Sequence, residues 1–156
     1  MTEPRWLDDV ERRAWQGFIA MSQLLEEQVT QGLRRAGGLS MADYRVLAPL
    51  SEAKDQRLRM QELAAQARWE KSRLSHQVRR MENRGLVRRE ECPTDARGAI
   101  AELTPEGLRA IREVAPLHAD NVRRIFVDGL SRDQLAALAD ISETVVHRLG
   151  SRTGAE

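Results

Sequence analysis

The sequence predicts a mostly α-helical chain carrying one small β-hairpin. Three observations lead there. Apolar residues recur at steps of three and four through most of the 156 residues, as on amphipathic helices. That period breaks only over residues 86–103, where two short segments flank a stretch rich in turn formers. Capping residues stand at the joints between the periodic segments.

Taken in order, the first helix is expected over residues 5–35, with Leu7, Val10, Ala14, Phe18, Met21, Leu25, Val29 and Leu33 on one stripe. Gly37-Gly38 stops it. Ser40 and Asp43 form a capping box for a second helix carrying Met41, Tyr44, Leu47 and Leu50, which Pro49 kinks or ends. Residues 52–59 are polar and read as a connection. A short helix follows over 60–68, with Leu63, Ala64 and Ala67 inward. The next helix spans 71–83, and its apolar residues Leu74, Val78 and Met81 fall in a narrow arc. Gly85 caps it.

Segments 86–91 and 99–103 read as strands joined through Cys92-Pro93-Thr94-Asp95-Ala96-Arg97-Gly98, a hairpin with a basic tip. Thr104-Pro105-Glu106 opens a long helix by supplying an N-cap, a first-turn proline and an acid against the dipole. Pro116 should bend that helix and Asp128-Gly129 close it. Ser131 and Gln134 make a capping box for a last helix carrying Leu135, Leu138, Ile141, Val145 and Leu149.

Composition narrows the function. Hydrophobic residues at 41% and charged residues at 31% suit a soluble globular protein. No apolar run is long enough to span a bilayer, and the N-terminus lacks a basic start followed by an apolar stretch, so a cytoplasmic protein is expected. The single cysteine, Cys92, excludes an internal disulfide framework, and three scattered histidines leave no metal cluster at ligand spacing. No cofactor is expected. Without a glycine-rich phosphate loop, a nucleophile elbow or paired carboxylates with reason to share a cleft, the chain does not read as an enzyme.

The net charge of +1 conceals an asymmetry. Residues 54–98 hold twelve basic and seven acidic residues, against thirteen and seventeen elsewhere. Only Lys54 and Lys71 among the 25 basic residues are lysines. Compositional bias accounts for most of that excess, yet arginine still brings a planar fork suited to phosphate and guanine edges. On the helix over 71–83 the outward face holds Ser72, His76, Arg79 and Asn83, flanked by Arg73, Ser75 and Arg80, with no acid among them.

Three helices followed by a hairpin across residues 40–104 is the order of a winged helix-turn-helix. In that arrangement the helix over 71–83 can enter a DNA major groove. Arg73, Arg79 and Arg80 then bind guanine edges or phosphates, and Ser72, Ser75, His76 and Gln77 donate to phosphates or bases. Gln77 lies nearest the buried side, and Arg88 and Arg89 reach at most the backbone. Residues 1–39 and 105–156 carry more apolar stripe than so small a domain covers. They are expected to pack together and against a second subunit, with Trp6 and Trp15 in a dimer core. His118 and His147 read as interfacial or surface histidines.

Several runs carry a family resemblance: Leu58-Arg59-Met60-Gln61-Glu62-Leu63-Ala64, then Ser72-Arg73-Leu74-Ser75-His76-Gln77-Val78-Arg79-Arg80-Met81-Glu82, then Arg84-Gly85-Leu86-Val87. With Asp95-Ala96-Arg97-Gly98 and Leu103-Thr104-Pro105-Glu106-Gly107 following, the chain resembles the MarR family of bacterial transcription regulators over nearly its whole length. The resemblance implies a homodimer on a pseudo-palindromic operator in double-stranded DNA, most often as a repressor. It also implies release by a small phenolic or anionic ligand bound between the dimerisation helices and the winged domain. By the same resemblance Arg97 is the wing arginine that enters the minor groove, and Asp95 holds its guanidinium in place.

Two other readings compete. Cys92 could make the regulator redox-responsive, since Arg88 and Arg89 would lower its pKa, although Glu90 and Glu91 oppose them. Within the resemblance, peroxide-sensing members carry their cysteine near the N-terminus, where this chain has none. The winged helix could instead bind protein, which an acid-free recognition face argues against.

Overall fold

The computed structural model describes residues 4–91 and 98–150. The chain divides into two compact units, Met1–Ala119 and Asp120–Glu156.

The first unit opens with α1 (Asp9–Gly37). Asp8 caps it: its carboxylate accepts from Glu11 N at 2.8 Å, and Glu11 accepts from Asp8 N at 2.9 Å. The helix therefore begins after Trp6 and Leu7, which sequence periodicity had placed inside it. Gly38, at φ 69°, ends it in the left-handed region. Next come α2 (Met41–Glu52), α3 (Met60–Ala67) and α4 (Lys71–Asn83). Pro49 neither ends α2 nor leaves its carbonyl idle, since Ala53 N donates to it at 3.0 Å.

The expected connection over 52–59 holds more structure than its polarity suggested. A 3₁₀ turn at Lys54–Gln56 leads into a strand, β1 (Arg57–Arg59). The wing strands are β2 (Val87–Glu91) and β3 (Ala99–Leu103). All pairings are antiparallel in the order β1-β3-β2, so the sheet has three strands. Leu58 faces Ala101, and Val87 faces Leu103.

The core of this unit gathers Leu33 from α1, Val46, Leu47 and Leu50 from α2, and Leu63 from α3. Leu74, Val78 and Met81 of α4 join it, with Val87 and Leu103 from the wing. The narrow apolar arc of α4 is thus its buried face, which turns the opposite side to solvent.

Helix α5 (Pro105–Val122) starts where Thr104 accepts from Gly107 N at 3.0 Å. Pro116 lies within it without ending it. The second unit holds a π-helical segment, Arg123–Val127, and α6 (Arg132–Gly150). Ser131 and Gln134 form the expected capping box at 2.9 and 3.2 Å. No residue of α6 is buried, and Ile141, Val145 and Leu149 are exposed. Among the described residues no helix is long and apolar enough to cross a membrane.

Candidate nucleic-acid interface

The turn between α3 and α4 is made by Arg68, a non-glycine residue held at φ 54°. Trp69 N then donates to Ala64 O at 3.0 Å, which folds the chain tightly back and sets α4 across α3. Trp69 is buried, and the Arg73 guanidinium lies 4.6 Å from its ring centroid, a cation–π contact that orients the first turn of α4.

Ser72, Arg73, His76, Arg79 and Arg80 are exposed, and Ser75 is half-buried. These residues divide into two groups. Ser72, Ser75, His76 and Arg79 line one side of a groove of about 250 Å³ whose other wall includes Arg89 of β2. Arg80 faces the other flank, beside Arg34, Ser40 and Arg84. Alternation along β2 explains why Arg89 reaches the groove while its neighbour does not: Arg88 is paired with Glu102 at 2.8 Å and with Glu90 at 3.3 Å. The period-two pattern could have separated the two arginines from sequence alone. Arg59 and Lys71 also line a cavity of about 280 Å³ together with Arg89, and neither was picked out by its sequence context.

Gln77 is a correction. Expected to donate to DNA, it is 3% exposed, and its Nε2 donates to Asp43 Oδ1 at 2.7 Å. Asp43, itself 2% exposed, also accepts from Ser40 N at 2.9 Å and from Arg84 Nη1 at 2.8 Å. Burial on its own would raise the Asp43 pKa. The hydrogen bonds from Arg84 and Ser40, and then the Arg84 charge, overcome it and hold the carboxyl below its ordinary value. Gln77 Oε1 accepts in turn from Arg80. Asp95, Arg97 and Cys92 lie outside the described residues.

Of the tryptophans expected in a dimer core, Trp6 precedes α1 and is 83% exposed, and Trp15 is 56% exposed. His118 packs against Tyr44 with centroids 4.4 Å apart and ring planes tilted by 49°, and its buried Nδ1 has no hydrogen-bond partner. Desolvation lowers its pKa.

Comparison with known proteins places this arrangement. The sequence profile of the MarR family matches residues 37–98. The transcriptional regulator HosA of Escherichia coli O111:H- is 29% identical over 118 residues, covering 75% of this chain and 84% of that protein. AbsC, a MarR family transcriptional regulator from Streptomyces coelicolor, is 43% identical with a TM-score of 0.91, covering 95% of this chain and 99% of AbsC. Sco3205, a MarR family transcriptional regulator from the same organism whose structure was solved in complex with DNA, is 42% identical with a TM-score of 0.90. That match covers 94% of this chain and 92% of Sco3205. With identity above two-fifths across almost the entire length of AbsC, and a winged helix presenting an acid-free basic face, the chain belongs to the MarR family of transcriptional regulators.

Proposed function

We propose that the chain is a homodimeric repressor that binds a pseudo-palindromic operator in double-stranded DNA. One observation carries the reading. Helix α4 buries Leu74, Val78 and Met81 and turns Ser72, Arg73, His76 and Arg79 outward, with Arg89 of the wing across a groove from them. A cationic helix of this width suits a major groove about 12 Å across. The wing then lies along the adjacent backbone, with Arg97 entering the minor groove and Asp95 holding it. Sco3205, bound to DNA in its own structure, supports carrying this mode to the present chain.

The homodimer is supported by apolar side chains left open. Val10, Trp15 and Phe18 of α1 and Ile141, Val145 and Leu149 of α6 are between 47% and 67% exposed, more than a lone soluble chain commonly shows in runs at helical spacing. A second copy covers these residues and sets two recognition helices at half-site spacing. Residues 1–39 and 105–156 then serve the dimer, and 40–104 the DNA. Repression follows from occupying a promoter.

Release by a small anionic or phenolic ligand completes the proposal. An open groove of about 530 Å³ lined by Tyr44, Arg45, Arg68, Trp69 and Arg73 offers cations and aromatic rings beside the start of α4. A ligand must favour the non-binding state about 100-fold, or roughly 2.7 kcal/mol, to empty most operators.

The test is in vitro selection of bound duplexes, followed by titration at rising salt. Several phosphate contacts predict a log–log slope of about −0.9 per phosphate neutralised. A chain that selects no duplex at low ionic strength refutes the proposal, and a preference for protein partners would then favour the interaction-module reading.

A further inference from the structure

The corrected position of Gln77 points beyond the general mode of binding. Asp43 sits at the start of α2, 34 residues before Gln77 in the chain. It is the third residue of the capping box, so its Oδ2 is occupied by Ser40 N and Arg84 Nη1. Its Oδ1 faces Gln77. An ionised carboxylate only accepts hydrogen bonds, and its depressed pKa keeps this one ionised at neutral pH. The Gln77 amide therefore has one permitted orientation, with Nε2 toward Asp43 and Oε1 toward Arg80. That oxygen is the acceptor that holds Arg80, whose side chain is otherwise exposed on α4.

We propose that Asp43 is a positioning residue for DNA binding, acting through the Gln77 amide to hold the Arg80 guanidinium in place for a phosphate at the flank of the recognition helix. The inference rests on the DNA-binding reading above. Arg80 belongs with the backbone contacts because it lies beside Arg34 and Arg84, away from the groove shared by Ser72, His76, Arg79 and Arg89. Ordering a long flexible cation before the encounter removes part of the entropy cost of the contact. The chain connects three turns of structure: the α2 cap, the middle of α4 and its outer flank.

Asp43→Asn keeps the shape and reverses the logic. With Asn Oδ1 kept by Ser40 and Arg84, its amide nitrogen faces Gln77, whose side chain must flip to present Oε1. Gln77 Nε2 then points at Arg80, a donor against a donor. Gln77→Met removes the middle of the relay and leaves the Ser40 and Arg84 bonds to Asp43 in place.

The experiment measures affinity for the duplex selected by the wild-type chain, by fluorescence anisotropy across salt. The variants are D43N, Q77M, R80A, D43N/R80A and Q77M/R80A, each with its melting temperature. R80A is expected to reduce the salt slope by about one phosphate. D43N and Q77M are each expected to weaken binding three- to ten-fold on their own, and by less than two-fold once R80A is present. Equal weakening with and without R80A, or no weakening by either single change, overturns the relay, because a general loss of structure would act in both backgrounds. If D43N does not fold, Q77M makes the same comparison. A wild-type chain that binds no duplex overturns the DNA-binding reading and the relay together, whereas wild-type binding with additive losses overturns the relay alone.

Discussion

Gly107 packs against the carbonyl oxygen of Leu86 so closely that a Cβ at position 107 would lie 2.0 Å from that oxygen. The same carbonyl accepts from Thr104 N at 3.2 Å, and Thr104 Oγ1 donates to Gly85 O at 2.6 Å. The start of α5 is thereby joined to the glycine turn that ends α4. Gly107→Ala must move backbone, and is expected to destabilise the fold by about 1–3 kcal/mol. Chemical denaturation checks it, and a stability equal to wild type would refute the close approach.

Arg79→Ala should weaken binding of the selected duplex by about 1–3 kcal/mol and relax base preference at one position per half-site. Repeating the selection with the variant measures both. An affinity loss with unchanged preference would reassign Arg79 to phosphate.

Arg97→Ala is expected to cost about 1–3 kcal/mol of operator affinity while the chain still sediments as wild type does. Unchanged affinity would remove the wing from the interface.

Ile141→Asp with Val145→Asp places two charges on a face of α6 that a second copy should cover. Sedimentation should show dissociation to single chains with helical content preserved. An unchanged dimer would mean that these side chains lie outside the interface.

His118 titrates below its ordinary value in the folded chain because burial disfavours the imidazolium. The unfolded chain takes up the proton first, so stability is lost as pH falls through the ordinary histidine range and is unaffected above it. His118→Phe, which keeps a ring against Tyr44, should show a smaller fall in melting temperature between neutral and mildly acidic buffer. Parallel curves for the two proteins would exclude His118 as the source.

The parts of this fold that were legible in the sequence are those with local causes. Leu74, Val78 and Met81 mark one side of a helix by spacing alone, and Gly85 marks its end, so α4 and its outward face could be read directly. Ser40 with Asp43 and Ser131 with Gln134 announce helix starts in the same way. The start of α1 was equally available, because Asp8 and Glu11 form a capping box, but the apolar stripe through Leu7 suggested an earlier start. Strand β1 was not legible. Three residues cannot show an alternation, and Arg57–Arg59 becomes a strand by pairing with residues 100–102, more than forty positions away. Gln77 sits on the border of the helical wheel, where spacing cannot decide its direction, and Asp43 decides it across 34 residues. Arg89 and Arg88, by contrast, could have been parted by the alternation of the strand already legible over residues 86–91.

Strand β3 is central, hydrogen-bonded to β2, the other strand of the wing, on one side and to β1, the lead-in to α3, on the other. Arg57 spans the sheet to Glu90 at 2.7 Å, above the middle strand. The finger and the helix pair are consequently joined, since the hairpin and the lead-in to α3 share one hydrogen-bonded sheet. In the proposed complex, the recognition helices and the finger would therefore reach the duplex from one shared sheet rather than as separate attachments.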